Sequence, residues 1–274
     1  MEILLIIVVG ILVLAGLAWL GFLLPAPVKT PLVEHGDEEL ALRHLDSLPA
    51  DCKSLMIEYF REGVPIPETI VAWGNARIVY GQVPVIGSLW APLTWTLYLK
   101  PGKGFIWKIG MTWFRKVRIS GGDGYLDGKG KFHMGDTVLE NPNLDRGERT
   151  MLWLYTLLLA PGSMFVTPGV SCEKNDQGQY LVKVSEPETE VESFNIIVSP
   201  TVSLPSQVDT HRAASKDGRN LPFNVRIEQY FSPFPGWNFP AELVFSWEND
   251  AYLKMSVKGI QFNVHIENEL SKGI

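Results

Sequence analysis

The sequence predicts a mainly β protein of the α+β class: a curved antiparallel sheet or half-barrel of about ten strands, one buried helix and an N-terminal transmembrane helix. Three observations support this fold. The chain opens on a long uncharged apolar run. Most later segments alternate apolar and polar residues with a period of two and are separated by turn residues. One helical apolar segment interrupts them, and the short turns between consecutive strands favour an antiparallel meander.

The first element is the run at residues 3–24, ILLIIVVGILVLAGLAWLGFLL, which has 22 residues and no charge. As a helix it would be roughly 33 Å long, enough to cross the ~30 Å hydrocarbon layer of a bilayer. A cleaved signal peptide and a buried core helix are the alternatives. A signal peptide usually has a basic segment before a shorter apolar core, whereas only Met1 and Glu2 precede this run. We therefore expect residues 1–28 to be a retained single-pass anchor in the membrane.

The sequence leaves open the side of the membrane on which the domain lies. Lys29 and Arg43 follow the apolar run, and no basic residue precedes it. This asymmetry favours the cytoplasm. Four acidic residues between positions 34 and 39 dilute the signal, and long domains are often translocated whatever their charge.

Composition narrows the classes of partner. The chain has 24 basic and 30 acidic residues, a net charge of −6, so no basic face is indicated and we expect no nucleic-acid partner. Cys52 and Cys172 lie 120 positions apart, without a CxxC motif or a ligand-like His spacing. We therefore expect no metal and no other cofactor. Whether the two thiols pair depends on their separation in the fold, which the sequence does not give.

Residues 29–66 are expected to form a connector with short helices. Leucines recur at helical spacing over residues 40–48, and residues 54–60 predict a second helix that ends at Gly63. These helices are expected to pack against one end or face of the domain that follows.

Residues 67–270 are expected to form the antiparallel β domain. The clearest hairpin covers residues 93–114 with a turn at 101–104, and a second covers 116–136 with its turn at Asp127 and Gly128. A helix, capped by Asn143 or Asp145, is predicted to run to Ala160 and to lie across the sheet. Strands are expected again from Met164 to Ile266.

Motifs for catalysis are missing from the sequence. It contains no GxSxG, SxxK or HExxH pattern, and we expect a protein that is not an enzyme. The alternative is a hydrolase that acts near the membrane with Asp123 and Asp127 at the mouth of its site, since paired acids can serve as general acid and base. Acids beside a turn more commonly bond the turn backbone.

Aromatic residues suggest where a ligand could lie. Eight of the nine tryptophans fall outside the anchor, mostly in predicted strands. They either fill a plain core or line an apolar cavity on the concave face of the sheet. Arg149 and Arg212 are candidates for an anionic head group, because a guanidinium makes two-pronged bonds to phosphate or carboxylate. The aromatic residues expected to line or back the cavity are Trp95, Phe105, Trp107, Trp113 and Trp247.

A set of short motifs extends over about residues 70 to 265. They are Gly104-Phe-Ile-Trp107, Gly122-Asp-Gly-Tyr125 with Gly128-Lys-Gly130, Gly147-Glu-Arg149 before a helix ending at Pro161, the strand from Pro205 to Arg212, and Gly236, Pro240 and Trp247. Together they resemble uncharacterised bacterial proteins grouped as domain-of-unknown-function family 6544. That family is similar in build to half-barrel carriers and sorting factors for bacterial lipoproteins, so the resemblance implies lipid handling by analogy.

One position departs from the family pattern. A Glu is expected inside the helix after the Arg, where this chain has residues 153–156, WLYT. Any role of that acid therefore does not carry over.

These observations predict a single-pass, membrane-anchored protein with a non-catalytic binding or carrier domain for an apolar or lipid-like ligand, beside the lipid bilayer. Besides the hydrolase, the second alternative is a membrane scaffold that recruits a protein partner, whose identity the sequence does not give.

Overall fold

The structure is a computed structural model, and it describes residues 2–34, 36, 39–60, 63–83, 87–187 and 189–273. Helix α1 (Glu2–Leu23) stands outside the remainder of the fold with nearly all of its side chains exposed. Its segment Leu5–Leu23 has a mean hydropathy of 2.7 and is long enough to cross a membrane. A helix that is apolar all round and unburied lacks a protein partner for most of its surface.

The described residues form, as the main body, one thirteen-stranded antiparallel sheet, which is curved and not closed into a barrel. The first half of the meander is β3 (Ile70–Val83), β4 (Gly87–Lys100), β5 (Gly104–Trp113), β6 (Lys116–Leu126), β7 (Lys129–Met134) and β8 (Thr137–Leu139). The second half is β9 (Val170–Lys174), β10 (Tyr180–Val184), β11 (Glu192–Val198), β12 (Pro205–Ala213), β13 (Asn220–Phe234), β14 (Trp237–Trp247) and β15 (Asp250–Phe262). Strand β15 pairs with β3, so β8 and β9 are the two edges.

The predicted fold class is confirmed, and the described part of the chain has thirteen strands in the sheet where about ten were expected. Both predicted hairpins are present. The β6–β7 turn has Asp127 at φ 50° and Gly128 at φ 78°. These left-handed values are those of a two-residue hairpin turn, which explains the Asp-Gly pair in the sequence.

Three helices cover one face of the sheet, which we call the inner face. They are α2 (Ala50–Tyr59), α3 (Pro142–Leu159) and α4 (Pro161–Phe165). Helix α3 follows edge strand β8, and α4 precedes edge strand β9, so this connection has to cross the sheet. Nearly all of α3 is buried in the main core. Helix α5 (Glu267–Lys272) follows the last strand, and a small second cluster lies around Trp73 and Tyr98.

Some local predictions are wrong. Residues 40–48 form strand β1 (Ala41–Arg43) and a single 3-10 turn, because β1 finds a partner in β2 (Val64–Ile66). The cap of α3 is Asn141, whose side chain accepts a hydrogen bond from the backbone N–H of Leu144 at 2.9 Å. Met164 and Phe165, which were expected to begin a strand, belong instead to α4, since Pro161 is well suited to the first turn of a helix.

The fold brings the two cysteines together. Helix α2, which carries Cys52, packs against β9, which carries Cys172, and the two thiols lie close enough to affect each other's protonation. The interaction with Cys172 lowers the pKa of Cys52, and the interaction with Cys52, together with burial, raises the pKa of Cys172.

We predict that an oxidising compartment converts this pair into a disulfide that stabilises the domain by about 2–4 kcal/mol, because the bridge closes a long loop in the unfolded chain. The free-thiol count of the denatured protein, before and after reduction, measures the bridge. Cys172→Ser is the control and should be insensitive to reductant. Two free thiols after mild oxidation of the native protein would contradict the prediction.

Candidate functional site

Three charged side chains from different elements meet beneath the first turns of α3. Asp123 comes from β6, Glu148 from α3 and Arg212 from β12. Arg212 donates from Nη2 to Oε1 of Glu148 at 2.7 Å and from Nε to the carbonyl oxygen of Gly147 at 3.2 Å. We call these three residues the acidic cluster. The ion pair and the backbone bond together hold the start of α3 on strand β12.

Glycines let α3 come this close to the sheet. A Cβ at Gly147 would lie 2.7 Å from the carbonyl oxygen of Ala213, and one at Gly130 would lie 2.7 Å from the carbonyl oxygen of Leu144. Either contact is shorter than van der Waals packing allows, so a larger residue would push the helix away from β7 or β12. The glycine in Gly147-Glu-Arg149 therefore serves helix–strand contact.

Aromatic rings surround the cluster. The guanidinium of Arg212 lies 5.4 Å from the ring centroids of both Phe223 and Trp247, a favourable cation–π distance. Tyr155 of α3 contacts Phe105 edge to face at 5.2 Å. Burial raises the pKa of the Tyr252 hydroxyl to about 12, and this residue interacts with Arg212. The cluster is thus a polar spot within an apolar, aromatic interior.

Three buried polar atoms at this place make no hydrogen bond within the described part of the chain. They are Nε1 of Trp107, Oδ1 of Asp123 and Oε2 of Glu148. Trp107 is the direct cross-strand partner of Asp123, so their side chains lie on the same face about 5 Å apart at Cβ. Buried polar atoms in folded proteins nearly always have partners. The site therefore presents two acceptors and one donor that are available to a bound group.

Burial dominates the protonation of the two acids. It raises the pKa of Asp123 well above its usual range, and the nearby charge of Glu148 adds to the shift. Burial also raises the pKa of Glu148, although Arg212 opposes it. For Arg212, burial is the largest single influence and lowers the pKa, but Glu148 and the neighbouring acidic side chains together raise it by more. The raised pKa of Glu148 favours a neutral acid, whereas the raised pKa of Arg212 favours a charged guanidinium. The 2.7 Å contact supports the ionised pair at neutral pH.

The raised pKa values of the two acids predict that the free energy of unfolding falls as the pH rises from about 4 towards neutrality. In the unfolded chain the same acids titrate at about 3.9 and 4.3, at the start of this range. In that window the folded chain keeps protons on Asp123 and Glu148 that the unfolded chain has lost, so deprotonation favours unfolding. The urea midpoint between pH 4 and pH 8 measures the effect. Asp123→Asn should flatten the curve. A wild-type midpoint that rises through this range, with the same slope in the variant, would contradict the assignment.

A second buried ion pair lies one position further along α3. Arg149 donates from Nε and Nη2 to Oε1 of Glu192 at 3.0 and 2.9 Å, and Thr150 donates to the other oxygen of Glu192 at 3.0 Å. Burial raises the pKa of Glu192, and Arg149 opposes this. The pair borders a cavity of about 200 Å³ that also contains Arg146 and Glu190, which pair with each other. Both signs of charge are therefore already balanced here.

The structure brings together some of the predicted ligand residues and separates others. Trp107, Arg212 and Trp247 belong to the acidic cluster or its walls, and Phe105 lies beside them against Tyr155. Trp95 is buried in the same core, and its Nε1 donates to the carbonyl oxygen of Asn75 at 3.0 Å. Arg149 belongs to the second ion pair.

Trp113 lies apart from the others, at the end of β5 against Gly21 of α1. The helices α2 to α4 fill the inner face, and none of five cavities formed by described residues is lined by any of the predicted aromatics.

Sequence reasoning missed part of the site and misplaced another part. Glu148 is not among the site residues that the sequence predicts, and it is the partner of Arg212. Asp127 is exposed in the β6–β7 turn, four positions from Asp123 and roughly 13 Å away along the strand direction. The hydrolase pair of Asp123 and Asp127 is therefore not assembled. The described residues contain no group of three His, Cys, Asp or Glu that could hold a metal ion.

No family model matches the chain, and no curated protein matches it. The resemblance to family 6544 thus has no support from a family model. Two solved structures are similar to it, each at 10% identity and a TM-score of 0.41. The alignment with an outer membrane lipoprotein-sorting protein domain from Vibrio parahaemolyticus spans 74% of this chain and 89% of that domain. The alignment with a LolA superfamily protein from Nitrosomonas europaea spans 78% of this chain and 92% of that protein's chain. Likenesses this distant do not identify a function.

Proposed function

We propose that the protein is a membrane-anchored binding domain that accepts an apolar, lipid-like ligand between α3 and the inner face of the sheet. The apolar part of the ligand would contact the aromatic residues Trp95, Phe105, Trp107 and Trp247. Its polar end would lie at the acidic cluster. Helix α1 would keep the domain beside the bilayer, which is the source of such a ligand.

The observation that carries this proposal is the group of unpartnered polar atoms inside an aromatic interior. An apolar core gains nothing from a buried indole N–H and two carboxylate oxygens without partners, since each such atom costs about 1–3 kcal/mol. A binding site has this composition, because mostly apolar walls hold the ligand and a few polar atoms fix its orientation.

The polar atoms also indicate the chemistry of the ligand. Two of the three are acceptors, and Arg212 is already neutralised by Glu148. A ligand with a hydroxyl or an ammonium group would complete these bonds. An anionic head group at Arg149 or Arg212, which the sequence suggested, would first have to displace Glu192 or Glu148. We therefore propose a donor group at the polar end.

Space for such a ligand requires α3 to shift. The helix is fixed by apolar contacts and by the two ion pairs, Arg212 with Glu148 and Arg149 with Glu192. The chain breaks its helical course at Ala160, whose φ of −139° separates α3 from α4. A hinge at this position would let α3 move while α4 stays packed against β2 and β9.

Native mass spectrometry of the full chain, released from mild detergent, tests the proposal. We expect wild type to retain a lipid-like molecule that bears a hydroxyl or an amine, and Asp123→Asn/Glu148→Gln to lose most of it. The matched control is Asp127→Asn/Glu140→Gln, which changes two exposed acids and should retain the molecule. Equal retention in all three proteins, or none in any, would count against the proposal.

A hydrolase remains a second candidate because of one observation. Asp123 and Glu148 are buried acids with raised pKa values next to an arginine, a combination that is frequent at catalytic sites. Turnover of a lipid ester by wild type that disappears in Asp123→Asn would favour this candidate over simple binding.

A further inference from the structure

We infer that the end of the sheet next to α1 is a membrane-binding surface that rests on anionic lipid head groups. The surface consists of the β5–β6 turn with Phe114, Arg115, Lys116 and Arg118, and the neighbouring residues Arg77, Tyr80, Trp90 and Lys254. It serves a different role from the acidic cluster, namely to set the orientation of the domain on the bilayer.

Contacts with α1 place this surface beside the apolar helix. The backbone N–H of Phe114 donates to the carbonyl oxygen of Gly21 at 3.2 Å, and Arg77 donates from Nη2 to the carbonyl oxygen of Leu23 at 2.9 Å. Gly21 packs directly against the ring of Trp113. The remaining turns of α1 extend away with exposed apolar side chains. If α1 crosses a bilayer, these contacts put the β5–β6 turn at the lipid surface.

Strand register adds the other members. Trp113 pairs with Lys116, Val79 pairs with Trp90, and Lys254 pairs with Arg77. Five adjacent strands, β6, β5, β4, β3 and β15, thus present these side chains at the same end. The aromatic members Tyr80 and Phe114 are 62% and 37% exposed. Exposed aromatic residues next to a span are typical of the interface between hydrocarbon and water.

Charge favours anionic lipids as the occupant. Arg115, Lys116, Arg118 and Lys254 are exposed, and none of them forms an ion pair with a described residue. Arg118 and Lys254 instead lie over the rings of Trp113 and Trp90, at 5.6 and 5.1 Å. Glu242, an acid that borders the same small cavity as Arg77 and Lys254, is already bonded to Ser256 and Lys258. Clustered cations next to a span bind anionic head groups.

Backbone strain indicates that the turn is shaped for a purpose. Phe114 and Arg115 both have left-handed backbones, at φ 48° and 61°. Asn-Gly would adopt this two-residue turn at lower energy. Two bulky residues in this conformation are uncommon, because the strained backbone costs free energy that a favourable contact has to offset. The contact of Phe114 with α1 and a contact of Arg115 with head groups would offset this strain.

The test uses the full chain in nanodiscs of phosphatidylcholine, with or without phosphatidylglycerol. We expect amide hydrogen exchange over residues 114–119 to slow roughly tenfold when the anionic lipid is present at low salt. The slowing should vanish in Arg115→Gln/Lys116→Gln/Arg118→Gln. It should persist in Lys103→Gln/Lys129→Gln/Lys272→Gln, which removes the same charge from other parts of the surface.

Two outcomes would overturn the inference. One is a chain that enters the nanodiscs and shows the same exchange in both lipids, which would leave the anchor intact and refute the surface alone. The other is a chain that does not enter nanodiscs at all, which would refute the anchor and the surface together. Neither outcome bears on ligand binding at the acidic cluster, which native mass spectrometry measures separately.

Discussion

Arg212→Leu should destabilise the domain by about 3–5 kcal/mol, because it leaves two buried acids without their cation. Glu148 loses the 2.7 Å bond to Arg212, and Gly147 loses a donor to its carbonyl oxygen. Asp123 loses the nearby positive charge that counters the rise of its pKa. In a domain of this size the thermal midpoint should fall by roughly 10 °C.

Urea unfolding of the full chain in mild detergent measures this change. Arg226→Leu is the matched control, since it breaks an exposed pair with Glu228 and should cost at most about 1 kcal/mol. Arg212→Leu/Glu148→Leu should recover part of the loss, because an apolar pair can replace a buried ion pair at little cost. Equal destabilisation by Arg212→Leu and Arg226→Leu would show that the acidic cluster does not hold α3 on the sheet.

Removal of residues 2–24 should transfer the protein almost completely from the membrane fraction to the supernatant. The segment Leu5–Leu23 has a mean hydropathy of 2.7, and a spanning helix of this kind inserts in an effectively irreversible way. The domain itself should still fold, because none of the described side chains of α1 belongs to the main core. Unchanged urea midpoints of the truncated and full-length chains would verify that point.

Alkaline carbonate extraction followed by N-terminal sequencing distinguishes an anchor from a signal peptide. An anchor predicts that the extracted membrane pellet holds a chain that still begins at Met1. The contrary result is a chain with an intact N-terminus in the supernatant, or a mature chain that begins near residue 25. Either would remove the basis for placing the domain at a bilayer.

Local sequence patterns predicted much of the fold for a physical reason. Strand alternation and turn chemistry are properties of neighbouring residues, so the hairpin at residues 93–114 and the Asp127-Gly128 turn could be read directly. Strand β1 could not, because it exists only through its pairing with Val64–Ile66. The short helix α4 depends on how Pro161 restarts a helix after Ala160, which periodicity does not reveal.

The site depended on long-range partners. Arg212 and Glu148 are 64 positions apart, and their contact follows from the crossing of α3 and the register of β12. The sequence singled out Arg212, Trp107 and Trp247 by residue type, yet it gave no sign that Arg212 is neutralised within the chain. A Glu beside a glycine at the start of an otherwise apolar helix was the available signal for Glu148.

Photolabelling provides the most direct test of a ligand beneath α3. The full chain in detergent would be irradiated with a diazirine-bearing long-chain amine or alcohol, and labelled peptides would be mapped by mass spectrometry. We predict saturable labels near Phe105, Trp107, Tyr155 or Trp247, which Asp123→Asn/Glu148→Gln strongly reduces and Asp127→Asn/Glu140→Gln does not. Labels confined to α1, or equal labelling in both double variants, would contradict the proposed site.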